Sequence, residues 1–249
     1  KKTEIEKPEV VYNLHIQTDH NYIVDDAVVS NCHMAKADVL KKILTGNLQN
    51  APIRWGLTGT IPKADHEFQS IRASLGEVVH QVKAYELQEA GILSNCHVNV
   101  IQTSEWKEFG SYAEELKFLV TDQDRMTYLA NRIKKIADSG NTLVLVDRIE
   151  CGKFIQTHLN ELFGTLKEDV EVAFISGAVK TKDRKNEYDE IKTSTNKIIV
   201  ATYGVAAVGI NVPRIFNLVM VEPGKSFTRV IQSIGRGIRK ADDKDFVNV

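Results

Sequence analysis

Two groups of residues have types and spacings that suit chemistry. Gln232, Gly235, Arg236 and Arg239 stand at i, i+3, i+4 and i+7, which places them on one face of an α-helix. Such a face can present two guanidiniums to a triphosphate, because planar, permanently charged forks suit phosphate oxygens. The bland alternative is a surface helix with two solvated arginines. The second group is Ser30-Asn31-Cys32-His33, with His20 upstream. An Asn amide can attack its own backbone carbonyl, form a succinimide and cleave the bond after it. The step needs a proton donor or a polarised carbonyl, for which imidazole is the usual agent, and positioning supplies much of the rest. An ordinary loop at Asn31-Cys32 and a turn histidine at His20 are the alternatives here.

The elements that must position these groups differ along the chain. Residues 10–31 read as β structure. Val10, Tyr12, Leu14 and Ile16 alternate with polar residues, the period of a half-buried strand. Tyr22–Val24 and Ala27–Val29 are shorter runs around a tight turn at Asp25-Asp26. A segment this small cannot hold a core alone, so it is expected to complete a larger β domain. After Cys32 the texture becomes α/β. Residues 34–46 look like an amphipathic helix closed by Gly46, Arg54–Thr60 a strand entering a turn, and residues 84–91 a short helix ending in glycine. Residues 106–125 are polar and irregular, a candidate linker. Beyond them the apolar runs Thr142–Val146, Val172–Ile175, Ile198–Ala201 and Leu218–Val221 alternate with helical stretches at 149–163, 181–193 and 226–240. Near-continuous apolar strands between helices imply a parallel sheet covered on both faces.

Bulk properties narrow the class. The chain has 249 residues, a formal net charge of −1 and 43% hydrophobic residues, enough for one large core or two small ones. No apolar run reaches the length of a bilayer span, and the N-terminus KKTEIEKPEV carries no signal-peptide core. A soluble protein of the cytoplasm, or a phage protein in a host cytoplasm, is expected. The three cysteines, Cys32, Cys96 and Cys151, make neither a disulfide framework nor a zinc site. Residues 126–249 hold 19 basic against 15 acidic residues, a mild surplus compatible with nucleic acid.

The first group, with the motifs around it, carries a resemblance. Gln232-Ser-Ile-Gly235-Arg236-Gly237-Ile-Arg239 resembles motif VI (QxxGRxxR) of superfamily 2 helicases. Ile198–Asn211, with Thr202, Gly204 and Gly209, resembles motif V, and Thr142–Asp147 motif IV. Ser176-Gly177 with Arg184 resembles the segment between those two. Thr58-Gly59-Thr60 resembles motif III, with Gly59 where alanine is usual, and Cys32-His33 the last half of a DECH motif II. The resemblance covers residues 32–249 and is closest to phage DNA-remodelling helicases. It implies a RecA-like helicase C-terminal domain over residues 126–249, preceded by the end of a first RecA-like domain at residues 32–105 and a linker at 106–125. It implies ATP and Mg²⁺ as cofactors and DNA, or RNA, as partner. Arg236 and Arg239 would be catalytic, as arginine fingers worth about 10³–10⁵-fold in rate. His33, Gln232, Gly209 and Gly235 would bind ATP. Thr58, Thr60, Thr202, Gly177 and Arg184 would bind nucleic acid or couple it to nucleotide. No GxxxxGK[ST] is present and no Asp-Glu precedes Cys32. An upstream half must therefore supply both, no metal ligand is assigned in this chain, and the chain alone is expected not to hydrolyse ATP.

Val11–Ile16, Asp19–Tyr22 and Val28–Asn31 resemble the two C-terminal blocks of inteins, a short β segment of the Hint fold. That resemblance makes Asn31 the cyclising residue, Cys32 the thiol that accepts the acyl group from the upstream junction, and His20 the assisting histidine. Asn13 stands where Asp is common and Ser30 where His is common. The combined expectation is an intein-interrupted helicase that splices at Asn31–Cys32. The alternative is a non-catalytic nucleic-acid-binding fragment with an inactive intein remnant.

Overall fold

The computed structural model describes residues 21–24, 27–31, 41–50, 53–61, 64–103, 107–166, 170–177, 179, 181–206, 212–222, 224 and 226–249. The chain divides into two compact units, Lys1–Gln81 and Val82–Val249.

In the first unit β1 (Asn21–Val24) and β2 (Ala27–Asn31) pair antiparallel with Val24 opposite Ala27. This is the hairpin that the two short apolar runs predict. β2 then pairs parallel with β3 (Ile53–Leu57), Asn31 beside Leu57, to give a three-stranded sheet in the order β1-β2-β3. A π-helical turn at Ile43–Asn47 runs through Gly46 and ends at Leu48, so Gly46 does not close the helix as expected. The turn continues because Leu48 N–H bonds back to Ile43 O at 2.9 Å and buried Leu44 is anchored beside Ile71 and Leu75. Ile71 and Leu75 belong to α1 (Asp65–Leu75). The expected strand over residues 10–17 lies outside the described residues.

The second unit is built on a six-stranded, wholly parallel sheet in the order β4-β9-β8-β5-β7-β6. Its strands are β4 (Asn95–His97), β5 (Thr142–Val146), β6 (Val172–Ile175), β7 (Ile198–Thr202), β8 (Asn217–Met220) and β9 (Phe246–Asn248). The helices are α2 (Ala84–Glu89), α3 (Tyr112–Thr121), α4 (Gln123–Ala137), α5 (Ile149–Leu166), α6 (Thr181–Glu190), the short α7 (Tyr203–Ala206) and α8 (Phe227–Gly237). Because strand side chains alternate, β5 feeds two cores. Val144 and Val146 join Met126, Ala130 and Ile133 of α4 and Ile155 and Leu159 of α5. Leu143 and Leu145 join Ile191, Tyr203, Val212 and Ile215 on the other face. This is the RecA-like architecture expected for the C-terminal part, down to the four apolar runs that become β5 to β8.

Two boundaries differ from expectation. The stretch 106–125 is not an irregular linker. It contains α3, capped by Ser111 Oγ accepting from Glu114 N–H at 3.3 Å, and Val120 sits in the core. Asp122 both ends α3 and caps α4, its Oδ1 accepting from Arg125 N–H at 2.9 Å. The border expected near residue 105 also moves to Gln81/Val82, because β4 hydrogen-bonds to β9 from a distant part of the sequence. Among the described residues no helix is long and apolar enough to cross a membrane.

Buried polar pins fix the loops at the amino edge of this sheet. Asn141 Nδ2 donates to the carbonyls of Ile191, Ser194 and Arg214, while its Oδ1 accepts from Lys197 N–H. The Lys197 ammonium is buried but meets Glu171, Glu187 and Glu190 at 2.9, 2.8 and 2.5 Å. Burial alone would lower its pKa, and the three carboxylates outweigh that and raise it.

Candidate functional site

Helix α8 links two chemically different places. Its amino end is capped by Ser226 Oγ, which accepts from Arg229 N–H, and lies at the carboxyl edge of the sheet. In parallel α/β folds that edge forms the ligand crevice. Here Arg229 Nη1 donates to Asp147 Oδ1 at 2.8 Å and the guanidinium lies 5.2 Å from the Tyr203 ring centroid. Behind them Arg125 pairs with Glu222 at 3.1 Å, both side chains largely buried. Arg125 Nε and Nη1 find no hydrogen-bond partner among the described residues. Burial raises the Glu222 carboxyl, against the lowering effect of Arg125 and Arg148, while Asp147 raises it further. Glu222 also has φ 51, a left-handed conformation uncommon for a non-glycine residue. Cys151, beneath, is pushed up to about 12 by burial and by Glu222, so it is an inert thiol.

Thr202 ends β7 at this edge and is buried, and Gly177 lies just beyond β6, exposed. The register Val146–Thr202 and Ile175–Ala201 brings the ends of β5, β6 and β7 together, so these two candidates share one rim with Asp147. Arg184 lies in α6, its side chain outside the described residues, as are Gly209, His20, Cys32 and His33. Asn31 is the last residue of β2. In the first unit, Thr58 Oγ1 donates to Thr60 O at 2.8 Å and accepts from Thr60 N–H at 3.1 Å, a self-contained turn directly after β3.

The other end of α8 carries the arginine pair. Gln232 and Arg236 are half-buried on the helix and Gly235 is exposed. Arg239 is not on the shared helix face that its spacing predicts. The helix ends at Gly237, and Arg239 instead forms an isolated antiparallel bridge with Leu93. The physical reason is tertiary. Gly237 O, a carbonyl that a further turn would use, accepts from Lys244 Nζ, and Ile238 O and Arg239 O are held by Ser94 N–H at 2.8 Å and Lys244 Nζ at 3.0 Å, so the backbone after Gly237 is held by tertiary partners. Burial lowers the pKa of Arg236, the Arg239 charge lowers it further and Tyr188 opposes; burial also lowers Arg239. Two partly desolvated cations held together can bind an anion, which would relieve both penalties. No local pattern marks Lys244, one cation among the aspartates of Asp242-Asp243-Lys244-Asp245, nor the Arg125–Glu222 pair.

Residues 124–241, which hold β5 to β8 and α8, match the family model for the helicase conserved C-terminal domain. The chain is 28% identical over 226 residues to the ATP-dependent DNA helicase uvsW of Enterobacteria phage T4, covering 88% of this chain and 43% of that protein. It therefore spans less than half the length of that relative. Among solved structures it resembles a fragment of an HsdR subunit of a type I restriction enzyme from Vibrio vulnificus, with a TM-score of 0.68, 18% identity and coverage of 90% of this chain and 42% of that one. It also resembles the helicase Lhr of Mycobacterium smegmatis, with a TM-score of 0.61, 16% identity and coverage of 89% and 28%. These two likenesses speak for the fold.

Proposed function

We propose that the chain is the C-terminal portion of an ATP-dependent nucleic-acid helicase or translocase, contributing the residues that follow motif II. The observation that carries this reading is the match of residues 124–241 to the helicase conserved C-terminal domain, with partly buried Arg236 in the last turn of α8 and Arg239 on the bridge that follows it. Two guanidiniums so placed would bind the polyphosphate and stabilise charge developing on the transferred phosphoryl group. Thr202 and Gly177 at the carboxyl rim and Arg184 of α6 would meet the nucleic-acid backbone, as would Thr58 and Thr60 in the first unit. ATP fits the arginine pair because an anion offsets their repulsion. Mg²⁺ has no candidate holder among the described residues: the one carboxylate cluster, Glu171, Glu187 and Glu190, already surrounds Lys197. A P-loop and an Asp-Glu from an upstream half would supply what is missing. The isolated chain is expected to show no ATP turnover, and robust turnover would refute this dependence. Once the chain is joined to such a half, Arg236→Ala and Arg239→Ala should each lower kcat by at least about 10²-fold, with the fold intact by circular dichroism. Normal turnover in both would refute the finger role.

A second reading concerns Asn31–Cys32. The hairpin β1–β2, ending at Asn31, agrees with the close of an intein, in which Asn31 would cyclise and Cys32 accept the acyl group. The parallel pairing of β2 with β3 supports a different reading, in which β2 is the motif II strand itself, with Ser30-Asn31 where Asp-Glu is usual. Mass spectrometry after mixing with an upstream partner separates the two. A ligated product lacking residues 1–31, blocked by Asn31→Ala, supports splicing. An unchanged chain supports the degenerate strand.

A further inference from the structure

Arg239 lies beyond the helix that carries Arg236, so helical geometry cannot set the distance between the two guanidiniums. Something else must fix the backbone between Gly237 and Arg239. The structure holds one group there. Lys244 is 1% exposed, and its ammonium donates to Gly237 O, to Arg239 O at 3.0 Å and to Pro213 O at 3.0 Å. Gly237 O is one of the last carbonyls of α8, groups with no partner inside the helix and with the negative end of its dipole beside them. Pro213 O belongs to the loop before β8. One cation therefore ties the end of the arginine helix, the following bridge and the sheet loop into one body. Ser94 completes the clamp: its N–H donates to Ile238 O at 2.8 Å and its hydroxyl approaches Arg239 O at 3.4 Å and Lys244 O at 3.2 Å.

Keeping an ammonium here is costly. Burial pushes Lys244 down to about 8, with Asp243 opposing, and a surface lysine would avoid that penalty. Three carbonyl oxygens on three backbone segments use all three of its donors, which is a geometry of positioning.

We propose that Lys244 is a positioning residue for Arg239: its ammonium, bonded to the carbonyls of Gly237, Arg239 and Pro213, sets Arg239 beside Arg236 so that both meet one polyphosphate. The role rests on the arginine pair being the anion site. Lys244 touches no reacting atom and acts only through the backbone it holds.

The test uses the whole 249-residue chain, with inorganic triphosphate as the probe and the arginine Nε–Hε NMR signals as the readout. In the native protein both Arg236 and Arg239 should shift on titration. In Lys244→Met, which keeps the chain length but donates nothing, the Arg239 shift should fall to less than half while the Arg236 shift persists. A merely structural loss would diminish both together, and that result, or an unchanged Arg239 shift, overturns the proposal. Should Lys244→Met lose the native amide spectrum, Lys244→Gln, which keeps two donors, carries the same comparison: a selective weakening of the Arg239 shift supports the role and an unchanged shift overturns it. If neither arginine shifts in the native chain, the anion site itself is refuted, and the positioning role falls with it.

Discussion

The two ends of helix α8 solve the same problem, where to put a cation beside the helix, in opposite ways. At the amino end Arg229 reaches Asp147 across an exposed rim, the two side chains 39% and 42% accessible. At the carboxyl end Lys244 is buried and bonded only to backbone. An exposed pair contributes about 0–1 kcal/mol and can rearrange when a ligand arrives. A buried cation holding several carbonyls cannot leave without breaking charge-assisted bonds worth about 1.5–3 kcal/mol each. The amino end is therefore free to rearrange, and the carboxyl end is held in one geometry.

Four measurements can break or sharpen this contrast. The largest effect is expected from Lys244→Ala, which removes three charge-assisted hydrogen bonds and should lower stability by about 2–4 kcal/mol in urea unfolding. A loss below about 1 kcal/mol would show that the two ends are energetically alike. Gly237→Ala comes next. Its Cβ would sit 3.1 Å from Leu218 Cδ2 and 3.4 Å from Leu218 Cβ. Leu218 is itself core, so overpacking should outweigh the gain in helix propensity and cost about 1 kcal/mol.

A pH series tests the amino end. The folded pKa of Glu222 is raised above the unfolded value, chiefly by burial. As pH rises through the window that begins at the ordinary carboxylate range, the unfolded chain loses its proton first. The native state then binds more protons, and stability falls with rising pH. Glu222→Gln should flatten that decline, and an unaltered pH profile would show that Arg125 neutralises the burial penalty. The smallest effect is expected from Asp147→Ala, at about 0.5 kcal/mol and fading as salt is raised. A loss of several kcal/mol would mean that the rim pair is structural.

Much of the second unit was legible along the chain. The runs at 142–146, 172–175, 198–201 and 218–221 became β5 to β8 within a residue, because a strand buried on both faces must be apolar at every position. Residues 106–125 misled because their helix is held by caps at Ser111 and Asp122 and by Val120 alone in the core. That is too little hydrophobic periodicity to stand out from a polar loop. Of the candidate site, Arg236 and Arg239 could be named from their spacing, and Thr202 and Gly177 from resemblance. The clamp on Arg239 could not, since Lys244 meets partners on Pro213, Gly237 and Arg239 that share no local pattern.

By itself the sequence determined the strands, the order of the motifs and the residue types able to meet a phosphate, because each of these is written in neighbours a few positions apart. Only the tertiary structure decided where α8 stops. The helix could have run on through Arg239, but Lys244 takes Gly237 O, a carbonyl that another turn would need, and Ser94 and Lys244 hold the backbone that follows. Contacts across 145 residues of chain, as between Ser94 and Arg239, are settled by packing and not by propensity.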